Sequence, residues 1–279
     1  MRTKEQKPHI IGRYKYAARF YLLATLIPWV LWFSAGYFSH KTPATPHSEL
    51  LTGLLSFAGL CAPVAIAMIY MMQDKALWKD LRSRIFNFTS IKRHYIFLAF
   101  FLMPISILAA QAISLLFGYG VEQFAFSGSF TFTSSVFPVW FLLLVAPLLE
   151  ELAWHSYGTD CLRARFNLFS TSLIFAIFWS FWHFPLTSIK GYYHSNLVES
   201  GLLYSINFVI SLVPFVLIMN WLYYKTKRNL LLPIVFHITA GYFNEIFITH
   251  PMSKVIQTGL LLLLSLYLVN KERALFFQR

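Results

Sequence analysis

The chain has 279 residues, of which 57% are hydrophobic and 12% charged, with a mean hydropathy of +0.58. Soluble domains carry about 25% charged residues, so a water-exposed globule is excluded. The net charge of +12 is spread over short basic segments between long apolar runs, a pattern of membrane topology with no nucleic-acid partner expected. Cys61 and Cys161 sit in or beside apolar stretches, which excludes a disulfide scaffold and a zinc knuckle.

A membrane-crossing helix needs about 20 mostly apolar residues. In chain order such stretches fall at roughly 19–38, 51–72, 95–118, 135–157, 168–189, 202–224, 230–249 and 255–270. The expected fold is therefore all-α, a polytopic membrane protein of about eight transmembrane helices in a single membrane domain over 1–279. The first stretch is too long for a signal-peptide core and lacks a small-residue cleavage site, so it is expected to stay as a signal anchor.

The connections alternate in charge. Arg2, Lys4, Lys7, Arg13, Lys15 and Arg19 precede the first span, and Lys75, Lys79, Arg82, Arg84, Lys92 and Arg93 fill the second connection. With Arg163, Arg165, Lys225, Lys227, Arg228, Lys271, Arg273 and Arg279, one side holds 20 of the 23 basic residues. Only Lys41, Lys190 and Lys254 fall on the other. Both termini are therefore expected in the cytoplasm, with the chain in a cell membrane, the inner or plasma membrane of a bacterium, and membrane lipid as its first partner. The segment Asp74–Tyr95 interleaves bases with Trp78, Leu81, Ile85 and Phe88, which suits a helix lying on anionic lipid or a solvated basic loop. Phe124–Ser135 alternates aromatic and small polar residues and reads as an outer loop or a re-entrant turn.

Ionisable groups inside apolar spans cost about 2.5–3.5 kcal/mol each at a helix centre. Glu150, Glu151 and Glu245 fall within expected spans, as do His183 and His237, while His155 and His250 lie near span ends. Glu150 and Glu151 diverge by about 100° on a helix, so one faces a cavity while the other supports it. Pro147 loosens the helix one turn earlier. Glu151 and His155, four apart, share a face. His237 shares a face with Gly241, Asn244 and Glu245. Bland alternatives exist for each: a polar cluster locking helices together for the glutamates, an interfacial aromatic belt around His183, a structural His237–Glu245 contact.

Taken in order, Glu150-Glu151-Leu-Ala-Trp-His155, Trp179-Ser-Phe-Trp-His183 and His237-Ile-Thr-Ala-Gly241 resemble the motifs of the CPBP membrane proteases. That family comprises the type II CAAX prenyl endopeptidase and its bacterial, lysostaphin-resistance-protein-A-like relatives. The resemblance covers residues 130–250 and implies an intramembrane endopeptidase acting on a membrane-associated peptide or protein substrate, prenylated or not. On this reading Glu150 is the general base, His183 positions the water, His237 stabilises the oxyanion, and Glu151 completes the catalytic set. A metal-dependent route, in which Glu150, His183 and His237 hold Zn²⁺ and leave a position for water, stays open, although no His-Glu-x-x-His helix is present. Two positions depart from the family pattern: His155 stands where it has arginine, and Gly241 where it has asparagine, a residue taken to help bind the oxyanion. Asn244 is the candidate substitute for that asparagine. The departures favour a competing reading, a catalytically altered member acting as a bacteriocin-immunity or scaffold protein. A transporter is disfavoured because no matching pair of broken helices is seen.

Overall fold

The computed structural model describes residues 10–85, 87, 91–134 and 136–278; Arg2, Lys4, Lys7, Phe88, Ser135 and Arg279, used above, lie outside them. The long helices are α1 (Ala17–Ser39), α2 (Pro46–Met72), α4 (Arg93–Ser114), α5 (Val139–Ala153), α7 (Leu168–Trp182), α9 (Leu202–Lys225), α10 (Leu231–Ile246) and α11 (Pro251–Lys271). Shorter helices are α3 (Lys75–Ile85), α6 (Thr159–Arg163), α8 (Tyr193–Ser200) and α12 (Arg273–Phe277). A π-helical turn, Trp154–Gly158, joins α5 to α6 into one run, and a 3₁₀ turn, Phe184–Ser188, extends α7. Among the described residues the only β pairing is the isolated bridge Phe126–Phe247.

Among the described residues seven helical runs are long and apolar enough to cross a membrane, and the protein is a multi-pass membrane protein. The seventh expected stretch is helical but has 16 residues, about 24 Å at 1.5 Å per residue, against a hydrocarbon core of about 30 Å. It nevertheless runs from the basic end, beside Arg228, to the opposite end at Glu245, with α4 and α5 packed on it. Large apolar side chains such as Leu22, Ile69, Phe97, Ile177 and Leu263 point outward on the spanning helices, as a lipid environment allows. Helix starts follow capping chemistry. The Thr45 hydroxyl accepts from the Ser48 N–H at the head of α2, where Pro46 begins the helix, and the Asn167 side chain accepts from the Ser170 N–H at the head of α7. Close approach of α1 and α2 needs Gly59, since a Cβ there would sit 2.3 Å from Trp32 Nε1.

The basic segments gather at one end of the bundle. Arg13 donates to Asp74 (2.9 Å), Arg165 to the Tyr14 carbonyl (3.4 Å), Arg163 to the Gln278 carbonyl (3.0 Å), and Lys225 pairs with Glu272 (2.9 Å). Behind them lies a buried network. Arg84 and Arg228 bind both Asp80 and Asp160, with the hydroxyls of Tyr14 and Tyr223 between them. The segment read either as a lipid-surface helix or as a loop contains a helix, α3, whose Leu77, Leu81 and Arg84 turn inward onto the bundle. At the opposite end, 125–134 is a loop folded over the tip of α10.

Candidate active site

The 25-residue run Val139–Arg163 starts and ends four to six residues later than the expected 135–157 stretch. Glu150 is thereby its twelfth residue and sits mid-span. His183 caps the C-terminal end of α7, and its Nε2 comes within 4.0 Å of Glu150 Oε2. The two side chains, from helices that run in opposite directions, thus meet in one cavity.

Glu150 is oriented by Trp179, whose indole Nε1–H donates to Oε2 (2.9 Å). His183 Nδ1 donates to the Trp179 carbonyl (2.7 Å); a carbonyl only accepts, so the neutral ring presents Nε2 as an acceptor lone pair. Glu151 faces away from Glu150 and holds two imidazoles. Its Oε1 is 2.8 Å from His237 Nδ1, and its Oε2 forms a very short contact with His155 Nδ1. His155 Nε2 meets Asn220 Oδ1 at 2.9 Å, and Asn220 Nδ2 donates to the Ser172 hydroxyl (2.9 Å). The Trp179 ring meets that of His237 edge-on, 5.2 Å between centroids. Glu150, Glu151, His155, His183 and His237 therefore form one connected polar cluster, and the expected i,i+4 pairing of Glu151 with His155 is present.

The alternative His237–Glu245 contact is not what forms: His237 bonds Glu151, and Glu245 accepts from the Thr131 N–H and hydroxyl at 2.9 and 2.7 Å. Asn244 lines the same cavity as the cluster, one turn beyond Gly241, and its carbonyl accepts from Lys254. His250 caps α11 by accepting from the Met252 N–H (3.1 Å) and lies outside the cluster.

The cavity holding Glu150, His183 and His237 is about 450 Å³ and runs between α5, α7, α9, α10 and α11. A second, about 520 Å³, reaches Glu150 and His183 from the side of α2. The His194 ring lines both and stacks on His183 at 4.9 Å, with both nitrogens buried and unpartnered among the described residues. Burial, with His183 beside it, holds the His194 ring well below the usual histidine range. His194 and Asn220 were not anticipated from the sequence. His194 lies in a connection, outside any apolar span. Of these two, Asn220, which shares its apolar run with Asn207, is the one that an insertion-cost criterion extended from acids to amides would have flagged.

No three of the His, Cys, Asp and Glu side chains among the described residues gather as a metal-binding set. Glu150 and His183 are tied to Trp179, and His237 to Glu151. Those bonds occupy Nδ1 of each ring and leave both Nε2 atoms free, which is also how metal-ligating histidines are held.

Fold and site together define a multi-pass membrane protein with a polar chamber buried between its helices. Residues 131–243 match the family model described as type II CAAX prenyl endopeptidase Rce1-like. A curated relative, CAAX prenyl protease 2 of Methanococcus maripaludis, is 35% identical over 273 residues, covering 97% of this chain and 99% of the relative. The chain belongs to this CAAX prenyl endopeptidase family of membrane proteases.

Proposed function

We propose that the protein is an intramembrane endopeptidase that hydrolyses a peptide bond near the C-terminus of a prenylated, membrane-associated substrate, with Glu150 activating the water. The observation that carries this reading is the 4.0 Å gap between Glu150 Oε2 and His183 Nε2. That is too long for a direct hydrogen bond, yet a water about 2.8 Å from each atom bridges them. Such a water points one proton at the carboxylate and one at the imidazole lone pair, leaving oxygen electrons toward the cavity. Attack on the scissile carbonyl transfers a proton to Glu150, which then delivers it to the departing amide nitrogen. With Nδ1 given to Glu151, His237 meets the developing oxyanion through Nε2, and Glu151 offsets the charge of the ring when it carries both protons. No step passes through a metal.

Purified protein in detergent is expected to cleave a prenylated peptide. Glu150→Ala or His183→Ala should lower kcat by about 10²-fold or more, and full activity in Glu150→Ala would remove Glu150 from the mechanism. Exhaustive chelation is expected to leave turnover unchanged; loss of activity restored by added Zn²⁺ would replace this route with a metal-dependent one. The competing scaffold reading draws on Gly241, which supplies no side-chain donor. It predicts no cleavage of any substrate, with immunity retained in Glu150→Ala cells.

A further inference from the structure

Beyond the catalytic cluster, the cavity follows α10 past Gly241, Asn244 and Glu245 to Lys254 in the first turn of α11. An ammonium has three donors, and Lys254 gives one to the Asn244 carbonyl at 3.1 Å. Glu245, which interacts with Lys254 electrostatically, is committed through Oε2 to Thr131. Its Oε1 is buried with no hydrogen-bond partner among the described residues. One end of the chamber thus offers a cation with unspent donors beside a carboxylate oxygen with unspent lone pairs. Asn196, Thr249 and Gln257 add polar wall there, and the start of α11 adds the positive end of a helix dipole.

The spacing is informative. His237 and Asn244 are seven residues apart on one helix, so an ammonium at the Asn244 carbonyl lies about 10 Å along the axis from His237. Three extended residues also span about 10 Å. We propose that Lys254 is the subsite for the C-terminal carboxylate of the substrate, and that its distance from Glu150, His183 and His237 sets the cut three residues from the chain end. This rests on the endopeptidase reading above. A C-a-a-X end carries its prenyl group on the cysteine, and a cut after that cysteine leaves three residues and one α-carboxylate. With the carboxylate on Lys254, the scissile carbonyl falls beside His237, and Glu245 Oε1 accepts a peptide N–H from the departing segment. Charge-assisted bonds to the ammonium are roughly twice as strong as bonds between neutral groups.

The test compares a fluorescent farnesylated tetrapeptide with a free carboxylate, its C-terminal amide, and the acid lengthened by one residue. Binding is measured on purified Glu150→Gln protein in detergent, with and without Lys254→Met or Lys254→Arg. Amidation is expected to weaken binding about tenfold to a hundredfold. Lys254→Met should bind acid and amide alike, Lys254→Arg should keep the preference, and the lengthened acid should bind more weakly than the tetrapeptide. Equal binding of acid and amide to the Lys254 protein, or a preference that survives Lys254→Met, overturns the subsite. Cleavage by the unaltered protein is read separately. Acid-selective binding without cleavage ends the endopeptidase reading and leaves the carboxylate subsite standing. Cleavage without acid preference does the reverse.

Discussion

At Gly241 an added Cβ would meet only Leu143 Cδ2, at 3.7 Å, an ordinary contact. The helix therefore has room for a Cβ here, on a wall of the chamber into which an asparagine would extend. Gly241→Asn is expected to raise kcat by tenfold or more, since a single oxyanion donor contributes roughly 10²–10³-fold, with KM little changed. No gain in kcat would mean the oxyanion lies off this face of α10. His155 illustrates the other departure. By the sequence resemblance it stands where the family has arginine, and it bonds Glu151 while its second nitrogen is taken by Asn220. His155→Ala strands a buried carboxylate oxygen and a buried amide oxygen, at about 1–3 kcal/mol for each. A lowered Tm in detergent, with a larger fall in kcat than in binding, is the expected result; an unchanged Tm would remove His155 from the framework. The Glu151–His155 pair was legible from i,i+4 spacing alone. The Asn220–Ser172 extension was not, because it joins α9 to α7 and no local pattern encodes which helices become neighbours.

Among the elements, the π-helical turn after α5 carries the most consequence. Its wider winding frees carbonyls that an α-helix would use. Arg84 donates to the carbonyls of His155 (3.2 Å) and Ser156 (2.9 Å), and the Tyr223 hydroxyl donates to the former (2.7 Å). A residue of amphipathic α3 thus fixes the turn that presents His155 to Glu151. Arg84 is 3% exposed, and Arg84→Ala leaves Asp160 and these carbonyls short of partners at a cost of about 3–5 kcal/mol. Thermal unfolding and peptidase activity should fall together, whereas a stable, fully active Arg84→Ala would detach α3 from the site. The same network sets a pH limit. Burial pushes the Asp80 carboxyl up, but the guanidiniums of Arg84 and Arg228, with hydrogen bonds from Arg228 and Tyr14, outweigh it and hold the group below the ordinary aspartate range. A carboxyl lowered in the folded state adds stability above its unfolded pKa, about 4, and loses it as pH falls through the folded value. Proteolytic cutting near α3 should therefore rise below about pH 4; an onset near neutrality would point to other groups. The basic, amphipathic character of α3 was legible in the sequence, but its inward attachment through Arg84 was not, because a charged side chain on a basic helix reads as solvated until its partners are seen.

For the whole molecule, hydropathy located the spanning stretches because bilayer thickness sets their length. It gave α10 nearly its observed bounds, a 16-residue helix that runs from the basic end beside Arg228 to the opposite end at Glu245. It did not show that the 135–157 stretch begins later and runs on through a π turn to Arg163. The basic segments meet at one end of the bundle, and the 20-to-3 split of bases leads to the expectation that this end is cytoplasmic. In sealed right-side-out vesicles a membrane-impermeant thiol reagent should label Lys190→Cys and spare Lys271→Cys, with the unsubstituted chain as blank; the opposite pattern would invert the topology. The substrate would then run with its prenyl-cysteine toward the basic end and its carboxylate toward Lys254.

A single-turnover digest of a farnesylated peptide in ¹⁸O water, followed by mass spectrometry, addresses Glu150 as the base that activates water in a shared chamber with His183 and His237. Glu150 in that role predicts one ¹⁸O atom in the new carboxyl group with the unaltered protein, and no product with Glu150→Gln. Equal product from Glu150→Gln would contradict it.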